Sequence, residues 1–173
     1  MRFGGVMVAL VLAVGCSQPS SDEPTPSGGG GSNQPSNMPT GPTPTGQCND
    51  LTSGAGSISD NLATSPPALG GGSIADGRYV LTKYEWYTPN QLHTRSITIL
   101  VSGGGSQGQS LWTRDSDPEQ RVNLAIATNG AQIAMRATCP VGQDLEWDQY
   151  GMTDSGMTLY SSRDNKAAFF SRQ

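Results

Sequence analysis

The stretch RVNLAIATNGAQIAMRATC, Arg121 to Cys139, carries the signal that decides the fold of this 173-residue chain. Val122, Leu124 and Ile126 recur at period two, and after Asn129-Gly130 the pattern resumes with Ile133, Met135 and Ala137. Such alternation marks strands with one buried face. Asn and Gly both tolerate φ > 0, so Asn129-Gly130 predicts the central pair of a type I′ hairpin turn. The hairpin therefore joins Arg121–Thr128 to Ala131–Cys139. Its inward parity extends to Cys139, just before Pro140 stops the ladder.

Working outward, the same alternation recurs on both sides. Arg78 to Tyr87 places Val80, Thr82, Tyr84 and Trp86 on one face and Tyr79 and Leu81 on the other. Thr94 to Val101 aligns Ile97, Ile99 and Val101, and Ser110 to Arg114 follows the break at Gly103-Gly104-Gly105. Leu145–Gly151, Met157–Ser161 and Lys166–Arg172 complete the set. About eight short strands at regular spacing signal a sandwich or barrel. The tight sequential connections favour an all-β, antiparallel up-and-down barrel, which leaves no free sheet edge. Residues 47–76 form a loop-rich lead-in, in which a short helical turn is expected at Ser57 to Ala63. The folded domain is thus 47–173.

Residues 17–46 are almost entirely Pro, Ser, Thr, Gly, Asn and Gln, with Met38 as the one apolar side chain. Nothing there offsets the entropy of ordering, so residues 16–46 are expected to be a disordered tether. Its reach is on the order of 30 to 80 Å. The chain's net charge of −4 offers no basic surface for nucleic acid. With 14% charged residues, 23 glycines and 12 prolines, the composition suits a β domain on a polar attachment.

The start of the chain assigns a compartment. Arg2 precedes the unbroken apolar run Val6 to Val14, which is shorter than the roughly 20 residues a spanning helix needs. Residues 1–15 therefore read as a signal peptide. Leu12-Ala13-Val14-Gly15-Cys16 resembles the lipobox of bacterial lipoproteins, with Ala13 where that family more often has leucine. The resemblance implies cleavage before Cys16, lipidation of Cys16 and a membrane anchor. Ser17, where aspartate would favour inner-membrane retention, implies the outer membrane. With Cys16 so used, Cys48 and Cys139 remain as an even pair in an exported protein, and a disulfide between them is expected. Zinc is the rival use, but two cysteines with no histidine beside them do not make a four-ligand site.

A second resemblance covers about Asp76 to Arg172. Gly77-Arg78-Tyr79 looks like the Gly-x-Trp opening of lipocalins, and Arg172 sits in the last strand. In that family a last-strand arginine packs across the opening tryptophan and closes the barrel. The resemblance implies a cation–π contact of Arg172 on Tyr79.

Catalytic chemistry finds no constellation. Gly104-Gly105-Ser106-Gln107-Gly108 matches the Gly-x-Ser-x-Gly nucleophile elbow, but a strand follows it and the single histidine, His93, precedes it. An enzyme is not expected, and neither is a cofactor. His93 is expected in an exposed loop, and the acids Asp115, Asp117 and Glu119 in a solvated one rather than around calcium. Asp144, Glu146 and Asp148 recur at period two opposite Leu145 and Trp147, which places the acids toward water; reversed parity would point them into the lumen and favour a cationic ligand. Val80, Trp86, Ile97, Ile99, Leu124, Ile126, Ile133, Met135 and Leu159 are expected inside. Of these, Trp86, Ile97, Ile99, Leu124 and Met135 are the candidates to line a ligand cavity. Two readings stay open: a lipid-anchored, monomeric binder of a small apolar molecule, or a solid interaction module of the cell envelope. An apolar cavity of roughly 300 Å³ or more separates them.

Overall fold

A computed structural model describes residues 47–173. The expected signal peptide, the expected lipidation site Cys16 and the expected tether lie outside those residues. Among the described residues there is no helix. Two short strands, β1 (Ile58–Ser59) and β2 (Asn61–Leu62), precede β3 (Gly77–Trp86), β4 (Thr94–Ser102), β5 (Gln107–Arg114) and β6 (Gln120–Asn129). Then come β7 (Gln132–Cys139), β8 (Gln149–Thr153), β9 (Gly156–Ser161) and β10 (Lys166–Arg172). Strands β3 to β10 pair antiparallel in chain order, and β10 returns to pair with β3. Since β3 also pairs with β4, the sheet is a closed eight-stranded up-and-down barrel.

The interior is the expected apolar set with two changes. Trp86, Ile99, Leu124, Ile126, Ile133, Met135 and Leu159 belong to one buried cluster, and Ile97 packs against it half-buried. Val80 is buried but stands outside that cluster. The reason is a bulge: Phe169 pairs with Lys83 and Phe170 with Leu81, so Thr82 is the extra residue and the parity of β3 switches there. Tyr79 and Leu81 face inward before the bulge, Tyr84 and Trp86 after it. Neither face proposed from the sequence is the whole inner face.

Val80 instead belongs to a row on the outer surface. Its register partner is Thr98, which pairs with Leu111, which pairs with Arg121. Val80, Thr98 and Leu111 are all buried there, because the lead-in crosses over them. Gly54 N–H donates to Thr98 Oγ1 at 3.0 Å, and the Arg121 guanidinium donates to the carbonyls of Asn49 (3.0 Å) and Leu51 (2.8 Å). The lead-in is a strap, and Cys48 pins its start to Cys139, with Cα atoms 5.4 Å apart. Cys139 reaches it through a second bulge. Leu124 pairs with Ala137 but Asn123 with Cys139, so Thr138 is extra and Cys139 turns away from the interior parity expected of it. It comes to share the outer side of Asn123, whose Nδ2 donates to Cys48 O at 2.7 Å.

Further corrections concern turns and the lead-in. Residues 57–63 form no helical turn: Ile58 and Ser59 pair with β4, and Asn61 and Leu62 run parallel to β3. In the β6–β7 hairpin Asn129 pairs with Gln132, so Gly130 and Ala131 are the central residues. Gly130 alone has positive φ, at 59°, which is the II′ pattern rather than I′. Strand β8 begins at Gln149, not at Leu145. Gln132–Gln149 is the single register pair of the β7–β8 seam, supplemented by a bridge between Met135 and Leu145.

Candidate functional site

The barrel has a sealed base and an open mouth. At the base the strap runs beneath the turns. Ile74 enters the core cluster, Tyr79 donates its hydroxyl to Ala75 O at 2.8 Å, and Gly105 N–H donates to Asp76 Oδ1 at 3.0 Å. Gly105 is required there: its φ is +86°, and a Cβ would lie 2.5 Å from Ile74 O. Tyr79 and Arg172 are direct register partners. The guanidinium, however, lies against Gly77 and donates to Asp76 O at 2.6 Å instead of stacking on the ring. Tyr79 is fully buried.

The mouth holds a cavity of about 440 Å³. Its apolar wall includes Ile97, Ile99, Trp112, Val122, Leu145 and Phe170. Ile97 and Ile99 were expected to line it. Trp86, Leu124 and Met135 do not: Leu124 and Met135 belong to the filled interior, and Trp86 is buried at the mouth end of β3 against Arg95 and Lys166. The cavity exists because the inward positions of the strands change character toward this end. Continuing the parity of Ile97 and Ile99 by one step reaches Arg95; that of Trp112 reaches Ser110 in one direction and Arg114 in the other; that of Ala168 reaches Lys166. These side chains went unrecognised because the sequence reading stopped where each apolar run stopped. The period-two count would have found them.

Each cation at the mouth is tied down. Asp60, fully buried, accepts from Arg95 Nε (2.8 Å) and Nη2 (3.0 Å) and from Trp86 Nε1 (2.9 Å). Arg95 also lies over the Tyr84 ring, 4.2 Å from its centroid. Lys166 pairs with Glu146 at 2.9 Å and with Asp164 at 2.7 Å, and stands 5.6 Å from the ring centroids of both Trp86 and Trp147. Burial alone would lower the Lys166 pKa, but bonding to Asp164, the nearby Tyr84 and Glu146 together raise it. The Asp164 carboxyl is correspondingly held below its usual range, first by Lys166. Burial raises the Tyr84 pKa, partly offset by Arg95 and Lys166. Arg114, half-exposed, pairs with Asp117 at 3.0 Å.

Residues 143–147 line one side of the cavity as an irregular segment. Strand alternation does not apply to it, and Asp144 and Glu146 border the cavity together with Leu145 and Trp147 while both acids remain exposed to water, as expected from the sequence. Asp144 Oδ1 accepts the Ala137 N–H at 3.0 Å. Asp148 is engaged elsewhere, accepting the Ser162 N–H at 2.8 Å.

The remaining sequence candidates are structural. Ser106 sits in the β4–β5 hairpin turn and donates to Gly103 O at 2.7 Å, at the opposite end of the barrel from His93. His93 is half-buried rather than exposed, and its Nδ1 lies 2.6 Å from Asp115 Oδ2. Asp115 also accepts from Thr94 N–H (2.8 Å) and Oγ1 (3.0 Å). The Thr94 amide first, then His93, lower its pKa to about 2. Glu119 pairs with Arg121 at 2.6 Å, so the three acids of this cluster each hold a different partner.

Comparison with protein-family models, curated proteins and solved structures finds no match to this chain in any of the three.

Proposed function

We propose that the protein is a lipid-anchored binding module whose barrel takes a small, mainly apolar molecule at its mouth. The observation that carries this is the cavity of about 440 Å³, above the roughly 300 Å³ from which ligand sites begin. The wall is apolar and aromatic with a few fixed polar groups, as small-molecule sites are. The up-and-down barrel is compatible with the lipocalin resemblance. The anchor is the lipidated Cys16 and the location the outer membrane, on the lipobox and on Ser17. Labelling with a radioactive fatty acid tags the protein, and Cys16→Ala abolishes the tag; persistent labelling refutes the anchor.

Native mass spectrometry of the full protein from its own cells tests the binding reading. A co-purifying small molecule supports it, and a clean apo mass counts against it. A second reading, an interaction module of the envelope, draws on the solid lower barrel and on exposed Leu62, Leu92 and Val141. Substituting these three with serine would then weaken capture of an envelope partner while leaving small-molecule binding intact.

A further inference from the structure

Charge and aromatic faces are spread unevenly around the cavity. Three cations line it, Arg95, Arg114 and Lys166, and each has its own carboxylate: Asp60, Asp117 and Asp164 respectively. None of those three carboxylates lines the cavity, whereas Asp144 and Glu146 do. Glu146 is a second partner for Lys166, and Asp144 forms no ion pair among the described residues. The wall therefore keeps negative charge beyond what its own cations cancel. Its aromatic rings differ in a matching way. Arg95 lies over Tyr84 and Lys166 over Trp147, while half-buried Trp112 has no cation over its face among the described residues. Trp112 on β5 pairs with Gln120 on β6, and Asp144 bonds the Ala137 amide of β7. Both thus stand on the β5–β7 side of the mouth, opposite Lys166 on β10.

We propose that the ligand is an organic cation, an apolar body bearing one protonated or quaternary amine, whose charged end is held by Asp144 and the face of Trp112. This rests on the binding reading above. Aromatic faces attract cations, and a carboxylate at the rim of an apolar site supplies the counter-charge. An anion would meet cations already neutralised, together with like-charge repulsion from Asp144 and Glu146. The dimensions agree. A sphere of the cavity's volume is about 9 Å across, and an ammonium sits about 3 Å from a carboxylate oxygen and up to about 6 Å from a ring centroid. One cation therefore reaches both groups. For the body, an apolar void of about 150 Å³ takes one benzene ring, so about 440 Å³ takes two fused rings.

Calorimetric titration of the full protein at pH 7 with 2-naphthylmethylamine, 2-naphthylmethanol and 2-naphthoate tests this. The three probes share one ring system and are cationic, neutral and anionic. Wild type binds the amine about tenfold tighter than the alcohol, the worth of one rim ion pair and one cation–π contact together, and binds naphthoate weakest. Asp144→Asn keeps an oxygen for the Ala137 N–H, so it retains the melting temperature and the affinity for the alcohol but loses most of the preference. Trp112→Leu lowers affinity for the amine several-fold more than for the alcohol. Added salt, which needs no variant, erodes the amine's advantage and leaves the alcohol unaffected. Equal binding of amine and alcohol by wild type, tighter binding of naphthoate, or a preference that survives Asp144→Asn or high salt overturns the assignment while leaving the binding reading standing. Failure of all three probes to bind wild type overturns both.

Discussion

At the base of the barrel, Ile74 and the main chain of the strap fill the opening, with Gly105 and Gly77 allowing close approach. At the mouth, Arg95 and Lys166 stand against Tyr84, Trp86 and Trp147 and leave a cavity of about 440 Å³. One end is sealed by shape and the other is propped by charge. The contrast follows from what each kind of contact can do. Apolar packing and backbone bonds fill space without a void. Ion pairs hold bulky side chains at fixed distances, provided every charge keeps its partner. A closed strand array thus becomes a cup through the chemistry of its two ends, with one lead-in segment serving both.

The largest effect expected tests whether both ends depend on the strap. Cys48 and Cys139 enclose 91 residues of sequence separation, and opening that loop by substituting both with serine should cost roughly 4–5 kcal/mol. Urea unfolding measures it; a loss below about 1 kcal/mol would mean the strap holds by its hydrogen bonds alone.

Asp60→Ala should come next, at about 3–5 kcal/mol, because Arg95 would be left as a buried charge and Trp86 Nε1 without its acceptor. The change should also alter tryptophan fluorescence at the mouth, and an unaltered spectrum would argue that charge does not prop this end. Ile74→Ala should cost about 2–5 kcal/mol by opening a void at the base, with probe affinity at the mouth unchanged. A matched loss of affinity would show that the two ends are coupled and would dissolve the comparison.

The smallest effect is a pH response confined to the mouth. The folded pKa of Lys166 is raised above its ordinary value. Its contribution to stability is therefore complete below the unfolded value of roughly 10.4 and is lost as pH rises through the folded value. Tryptophan fluorescence should respond in that alkaline range, and Lys166→Met should remove the response that ordinary tyrosine ionisation leaves behind. A response at lower pH would place the propping charge elsewhere.

The strand array was legible because alternation is a local signal, and seven of nine expected interior residues belong to the core cluster. The misreadings cluster where one extra residue changes the count. Thr82 moved Val80 to the outer surface, and Thr138 turned Cys139 toward Cys48. A bulge depends on pairing with a neighbouring strand, so no single strand's sequence discloses it. The hairpin slipped by one residue for a related reason: Gly130 supports either turn position, and register decided. Residues 143–148 alternate like a strand but pair only sparsely with β7, so the strand expected from Leu145 begins only at Gln149. Ser110 was within reach of the parity argument.

The seam between β7 and β8 bears on how fast the barrel breathes. It is held by one register pair, the bridge at Leu145 and a few bonds such as Tyr150 N–H to Ala131 O at 2.8 Å, whereas β10 and β3 share seven register pairs. Amide exchange at Ile133, Leu145 and Tyr150 should therefore proceed through local opening, while the β3–β10 amides wait for global unfolding. Because residues 143–147 border the cavity, that opening would, on the proposed binding function, offer a guest a sideways route in. The exchange rate at Leu145 and the rate of guest uptake should then rise and fall together.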